Sequence, residues 1–517
     1  MHAGLEEAVT KNARVVRTQR SANWILTVGA VVAAVVVVGM IALSHAWPFT
    51  EANVVKQLEE ATSSHVEIGA FRRVYFPHPG CIANAVVFRR GSDLQKQAVM
   101  HVERITIVGN FLGLFTKHLA LIDLHGARAT FPAYGTGENW KPTESKIVVD
   151  TLIANDALLE FLSRARKGKP TKFSIHTLVA HDLASGAAMK FEVGLANPVP
   201  PGEIKAEGSF GPWKTDQLAE TAVSGHYEFR QADLGVFGGI GGTLSSSGKF
   251  DGTLESIAVE GSTTTPDFGV RGSSHHVDLE TNFDAEVDPA NGDVTLHATS
   301  AHLRQTTVIT QATIAGHPDA DGKRAALEFA VHSGKIQDLL LLFVADKKPP
   351  LTGSVSLKAN AVVPPGDEPF LKKLKIKGAF GIDDVLFSKG ETQDSVGKLS
   401  ASAQGKVNEE VDPESVVSNL QGQVTVQDGV ANFSKLSFRV PGALAKLHGT
   451  FDLISEKIDL HGTLIMEATL PRATSGVKSF LLKAVDPFLK KNRHGGAKFP
   501  VGITGTYQKP EYRADPI

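Results

Sequence analysis

From about residue 172 to the end, the chain is dominated by short runs in which apolar and polar residues alternate. Gly, Asp-Gly, Asn-Gly or Pro-Pro break the runs apart. Alternation with period two sends successive side chains to opposite faces, so each run predicts a strand with one apolar and one polar face. The clearest hairpin lies near the C-terminus. Leu447, Gly449, Phe451 and Leu453 share one face of residues 446–453, and Ile458, Leu460, Gly462, Leu464 and Met466 share one face of residues 458–466. Ser455-Glu456 makes the turn between them. Residues 424–426 and 436–440 read the same way. A Gly-x-Leu/Phe motif recurs loosely, as in Gly248-Lys-Phe250, Gly378-Ala-Phe380, Gly449-Thr-Phe451 and Gly462-Thr-Leu464. It has no strict period, so a degenerate β array is expected, not a propeller or solenoid of countable repeats.

Before residue 172 the pattern is more varied. Thr50 can cap a helix whose apolar stripe is Val54, Val55, Leu58 and Ala61. Val66-Glu-Ile-Gly69 opens a strand, and Tyr75-Phe-Pro-His-Pro-Gly80 is a Pro-rich turn. Residues 101–108 and 119–124 predict strands, with a short helical crossover over 109–117. Residues 147–161 resemble a hairpin turning at Asn155-Asp156, although their second half also fits a helix. Late in the chain, Val477, Phe480, Leu481, Ala484, Val485, Phe488 and Leu489 recur at helical spacing, with Pro487 kinking the helix. This predicts an amphipathic helix over 475–491.

One segment belongs to a different solvent. Residues 21–50 hold no Asp, Glu, Lys or Arg, and Trp24 to Leu43 is almost wholly apolar. Twenty helical residues span about 30 Å, the thickness of a bilayer's hydrocarbon core. Trp24 and Trp47 flank the span where indole rings favour the interface. Lys11, Arg14, Arg17 and Arg20 precede it, whereas Lys56 is the only Lys or Arg in the twenty residues that follow Trp47. The basic flank stays cytoplasmic, so the bulk lies across the membrane. The rival reading is a cleaved signal peptide ending at Ser44-His-Ala46; the apolar stretch is longer than a usual signal core, which favours an uncleaved anchor.

Composition narrows the function class. The 517 residues carry a net charge of −2 and 21% charged residues, which argues against both a disordered chain and a nucleic-acid partner. A single cysteine, Cys81, excludes an intramolecular disulfide and an all-Cys metal cluster. If strands occupy most of the bulk, adjacent spacing of about 4.8 Å makes a sheet about 100–150 Å long. So long an apolar face must close into sandwiches, be covered by helices, or remain a groove for something apolar. Predicted helices are too few to cover it, which leaves closed sandwiches and an acyl-filled groove as the alternatives.

Motifs for chemistry are weak. Gly235-Val-Phe-Gly-Gly-Ile-Gly-Gly242 is followed by Thr-Leu-Ser-Ser-Ser-Gly instead of a helix, and it reads as a turn, not a phosphate cradle. His275-His276 lacks further ligands at metal-site spacing, and Asp383-Asp384 and Glu409-Glu410 sit in polar turns. No catalytic, metal or cofactor site is expected. Lys490, Lys491 and Arg493 are candidate contacts for anionic headgroups, with a solvated helix end as the plainer reading.

Taken in order, several segments resemble the AsmA-like family of bacterial envelope proteins. They are the anchor between Trp24 and Trp47 with its amphipathic follower and Val66-Glu-Ile-Gly69, the Gly-rich stretch 232–254, and the C-terminal blocks 429–442, 447–453 and 458–464. Phe480-Leu-Leu-Lys-Ala-Val-Asp-Pro-Phe488 and Pro500-Val-Gly-Ile-Thr-Gly-Thr506 complete the set. The resemblance implies a mainly β protein: a transmembrane helix, then an elongated, twisted, antiparallel-rich sheet with a hydrophobic groove. It also implies a single pass through the bacterial inner membrane, a cytoplasmic N-terminus, a periplasmic bulk and a role in outer-membrane homeostasis through phospholipid movement. The expected organisation is a basic tail (1–20), the anchor (21–47), an N-terminal β-rich region (48–171), a central Gly-rich array (172–430) and a C-terminal β region (431–517). Leu447, Phe451, Leu453, Ile458, Leu460 and Leu464 are the candidate groove lining. Phospholipid acyl chains are the expected ligand, and outer-membrane or periplasmic proteins are further candidate partners. The alternative function is a structural protein that assists outer-membrane protein assembly without lipid.

Overall fold

The computed structural model describes residues 48–90, 98–111, 118–131, 147–162, 170–184, 186–214, 217–270, 275–288, 292–317, 320–344, 348–366, 368–404, 412–467, 497–506 and 509–514. The architecture is mainly β, a single long open sheet. Its first strands are β1 (Ser64–Val74), β2 (Gly80–Arg90), β3 (Ala98–Gly109), β4 (His118–Phe131), β5 (Val148–Phe161), β6 (Thr171–Leu183), β7 (Met189–Pro198) and β8 (Pro201–Phe210). The middle holds β9 (Ala222–Asp233), the two-residue β10 (Ile240–Gly241), β11 (Thr243–Thr253), β12 (Ile257–Val270), β13 (Val277–Asp288), β14 (Asp293–Leu303), β15 (Thr306–His317) and β16 (Ala320–Lys335). The last third is β17 (Leu351–Val363), β18 (Lys375–Phe387), β19 (Asn419–Gln427), β20 (Val430–Val440), β21 (Ala443–Asp452), β22 (Lys457–Met466), β23 (Ala497–Thr506) and β24 (Lys509–Ala514).

Hydrogen bonding follows chain order. Each strand pairs antiparallel with its sequence neighbours, except that β4 and β5 pair in parallel and β10 only edges β12, leaving β9 to pair with β11. At about 4.8 Å per strand this ladder is about 100 Å long along its contour. Closed sandwiches, one of the two alternatives above, are not what the chain builds.

Among the described residues there are four α-helices: α1 (Glu51–Thr62), α2 (Ile336–Leu340) and α4 (Gly390–Gln404), which pack on the sheet, and the single turn α3 (Phe370–Lys373). Thr50 caps α1 as its sequence predicts, accepting from the Asn53 amide. Val54 of α1 packs on Val66, Cys81, Val86, Val102 and Ile105 in the N-terminal cluster. Asp338 of α2 is buried and accepts from the Thr306 hydroxyl at 3.0 Å and the Gln305 amide at 3.1 Å, which fastens the helix to the β14–β15 turn. Val396 and Ala403 of α4 pack on Leu436, Leu447 and Leu464. All three clusters lie on the same face of the sheet, the inner face.

The ribbon coils on itself. The Gly-rich turn after β9 leaves one long edge of the sheet, while α3 leaves the opposite edge between β17 and β18. A β-carbon on Gly239 would nevertheless fall inside the ring of Phe370. Ordinary twist of about 20–25° per strand accumulates roughly half a turn over eight strands, which swaps the two edges. Curvature then carries one onto the other.

One expectation is corrected, and one element comes without a sequence signal. Residues 147–161 are one strand, not a hairpin: Asp156 adopts φ 54°, but the chain continues because β5 pairs with β4 and β6 along its whole length. The sequence also gave no sign of α4, whose buried face is built largely from Gln393, Gly397, Ser400 and Ser402. The segment 21–47 and the helix expected over 475–491 lie outside the described residues. Among the described residues no helix is long and apolar enough to cross a membrane.

Candidate functional site

Between the helix-covered ends lies a stretch that no helix covers among the described residues. Among the described residues, none of the three hydrophobic clusters draws a member from β8–β14. Exposure there alternates between solvent-facing and half-buried residues. The half-buried set is the inner face. It comprises Ile204, Ala206 and Phe210 of β8, Tyr227 and Phe229 of β9, Leu244 and Phe250 of β11, Val259 and Thr263 of β12, and Leu279 and Phe283 of β13, with glycines between them. No Asp, Glu, Lys, Arg or His stands at an inward position of β8, β9, β11, β12 or β13. The charges occupy the opposite face, as in the 3.1 Å pair Lys249–Glu260.

Register explains the loose Gly-x-Phe motif. Residues two apart share a face, and pairing lines them into rows across the sheet. One row runs Phe191, Gly208, Gly225, Phe250, Val259, Ala285. The next runs Val193, Ala206, Tyr227, Gly248, Gly261, Phe283. Each row thus sets a pair of glycines between two aromatics, and the rings fold over the bare backbone. A β-carbon on Gly225 would come within 2.8 Å of Phe250 Cζ, and one on Gly261 within 2.7 Å of Tyr227 Oη. The floor is therefore low, smooth and apolar over about 24 Å by about 30 Å, or roughly 700 Å². Monomers rarely leave apolar patches of that size uncovered without a ligand or partner.

Hydroxyls interrupt the apolar rows. Tyr227 Oη lies 2.9 Å from Ser246 Oγ, Ser246 donates to the Ser262 carbonyl at 3.0 Å, and Thr263 Oγ1 lies 2.6 Å from Thr281 Oγ1. Burial pushes the Tyr227 phenol up from its ordinary range, with the Ser246 bond pulling the other way. The phenol therefore stays protonated at neutral pH.

The residues named from sequence fall at the other end. Leu447 and Leu464 are in the cluster under α4, and Leu460 packs against it. Phe451 and Ile458 face each other across β21 and β22, half-buried, with Leu453 in the turn. That end of the inner face is filled in part by the protein's own side chains, whereas among the described residues no hydrophobic cluster forms on β8–β13, where only scattered inner residues such as Ala232, Val277 and Ala285 are buried. Lys490, Lys491 and Arg493 lie outside the described residues, as do Trp24, Leu43 and Trp47. Among the described residues no group of three His, Cys, Asp or Glu is placed to hold a metal. Compared with known proteins, the chain matches no family model, no curated protein and no solved structure.

Proposed function

We propose that the protein is a lipid-binding or lipid-transfer module of the bacterial envelope. On this reading, segment 21–47 anchors it in the inner membrane, the sheet stands in the periplasm, and the uncovered inner face is a trough for phospholipid acyl chains that supports outer-membrane homeostasis. The observation that carries the reading is the uncharged, half-buried face of β8–β13, over which no helix or second sheet packs among the described residues. Acyl chains need burial and no directional bonds, and burial of apolar area is worth about 25 cal/mol per Å².

The test is to purify the full-length protein, extract it for lipid mass spectrometry, and place photo-crosslinking residues at Phe250 and Phe283. Diacyl lipid in the extract and lipid adducts at both positions are the expected outcome. A lipid-free protein whose adducts are all to polypeptide would overturn the reading in favour of a protein-assembly role.

A further inference from the structure

An acyl trough needs no hydroxyls, yet the middle of this one carries a band of them. Register places Phe229, Ser246, Thr263, Thr281 and Ala301 in a single row, with Tyr227 beside Ser246. Thr265, one inward position beyond Thr263, is 1% exposed, and its hydroxyl has no partner among the described residues.

Proton accounting says what this band offers a ligand. The Ser246 proton goes to the Ser262 carbonyl, so Ser246 accepts from Tyr227 and the phenol proton is also committed. Between Thr263 and Thr281 one proton makes the 2.6 Å bond and the other stays free. The Thr265 O–H is also uncommitted, but it is buried under the Gly242 turn, out of a ligand's reach. One unspent donor within reach, with no charge nearby, matches a group that accepts hydrogen bonds without donating them. Left unpaired in a filled trough, it would cost the desolvation of a buried hydroxyl.

We infer that Thr263 and Thr281 form a seat for an ester carbonyl of a glycerolipid, which fixes the position of its backbone in the trough. This rests on the acyl-trough reading. Ester carbonyls accept only, and a diacyl lipid carries two of them beside its chains. The Gly242 turn covers Thr265, its backbone standing where a β-carbon would meet Thr265 Cγ2 at 2.7 Å, so the seat lies at the lip of that turn.

The experiment compares two lipids with the same headgroup and chain length, one diacyl ester and one dialkyl ether, in binding to the full-length protein. The wild type is expected to hold the ester lipid at least about fivefold more tightly, as one hydrogen bond would give. Thr263→Val/Thr281→Val, which keeps shape and strand preference, is expected to bind both lipids at the ether level. Thr263→Ser/Thr281→Ser is expected to restore the preference. Equal wild-type binding of ester and ether, or an ester preference that survives the valine pair, overturns the seat while leaving the trough standing. Failure of the wild type to bind either lipid overturns the trough itself.

Discussion

The glycine pairs of the inner face allow one chemical change to be tested with opposite signs. Replacing Gly248 by Ala puts a methyl group onto the Glu260 carbonyl and within 2.7 Å of Gly261 Cα. Ordinary contact there is about 3.5 Å, so β11 and β12 must part or bend by close to an ångström, a form of overpacking that costs about 1–3 kcal/mol. Gly194, in the middle of β7, has nothing within 4 Å of the same methyl position and no left-handed backbone. Gly194→Ala therefore removes freedom from the unfolded chain without a clash, which is worth about 0.4–1 kcal/mol of added stability. Urea unfolding of the full-length protein, followed by far-ultraviolet circular dichroism, reads both effects as midpoint shifts at constant slope. The expected result is a lower midpoint for Gly248→Ala and an equal or higher one for Gly194→Ala. Two equal losses, or a harmless Gly248→Ala, would refute the claim that close approach on the concave side, and not strand propensity, fixes these glycines.

Three further outcomes follow from the same geometry. Gly239→Cys/Phe370→Cys should be joined within the folded chain by a short bifunctional thiol reagent, and absence of the internal cross-link would mean that the two edges do not meet. Cys81 is fully buried and its thiol is pushed up to about 12, so it should resist maleimide until the N-terminal cluster opens. Because that value is raised on folding, its stabilising contribution is complete below the ordinary thiol range and is lost as pH climbs towards the folded value; Cys81→Ala should flatten the alkaline fall in urea midpoint. Asp452 accepts from the amides of Ile454 and Ser455, both at 2.8 Å, which holds its carboxyl below the usual range. Its contribution is present at neutral pH and is lost as pH falls through the ordinary carboxylate range towards the lower folded value, so Asp452→Asn should lessen the acid fall in midpoint there.

Strand chemistry was easy to read because it is local. Leu447, Phe451, Ile458 and Leu464 alternate cleanly, and residues 443–452 and 457–466 form the hairpin their pattern predicts. Thr50 and the Val54–Leu58 stripe likewise announce α1. The open stretch was illegible because an uncovered strand and a covered one alternate identically; what differs is whether a helix such as α4 arrives from elsewhere. That helix hides because Gln393, Ser400 and Ser402 fill its buried side with small or polar groups, and Ser400 and Gln393 are satisfied by the Pro441 carbonyl and the Phe387 amide. Asp156 misled for a related reason. A residue suited to a left-handed turn can instead kink a strand that both neighbours hold in place.

Because β6 to β8 and β13 to β24 each bond only to the strands next to them in the chain, closure entropy is spent mostly in short loops, the connections 388–418 and 467–496 being the long exceptions. Such a ribbon can assemble by zippering outward from any formed hairpin, and it can do so while the rest of the chain is still being synthesised. The same locality makes span an adjustable property. Excising or duplicating two consecutive strands changes reach by about 10 Å and leaves every other pairing as it was.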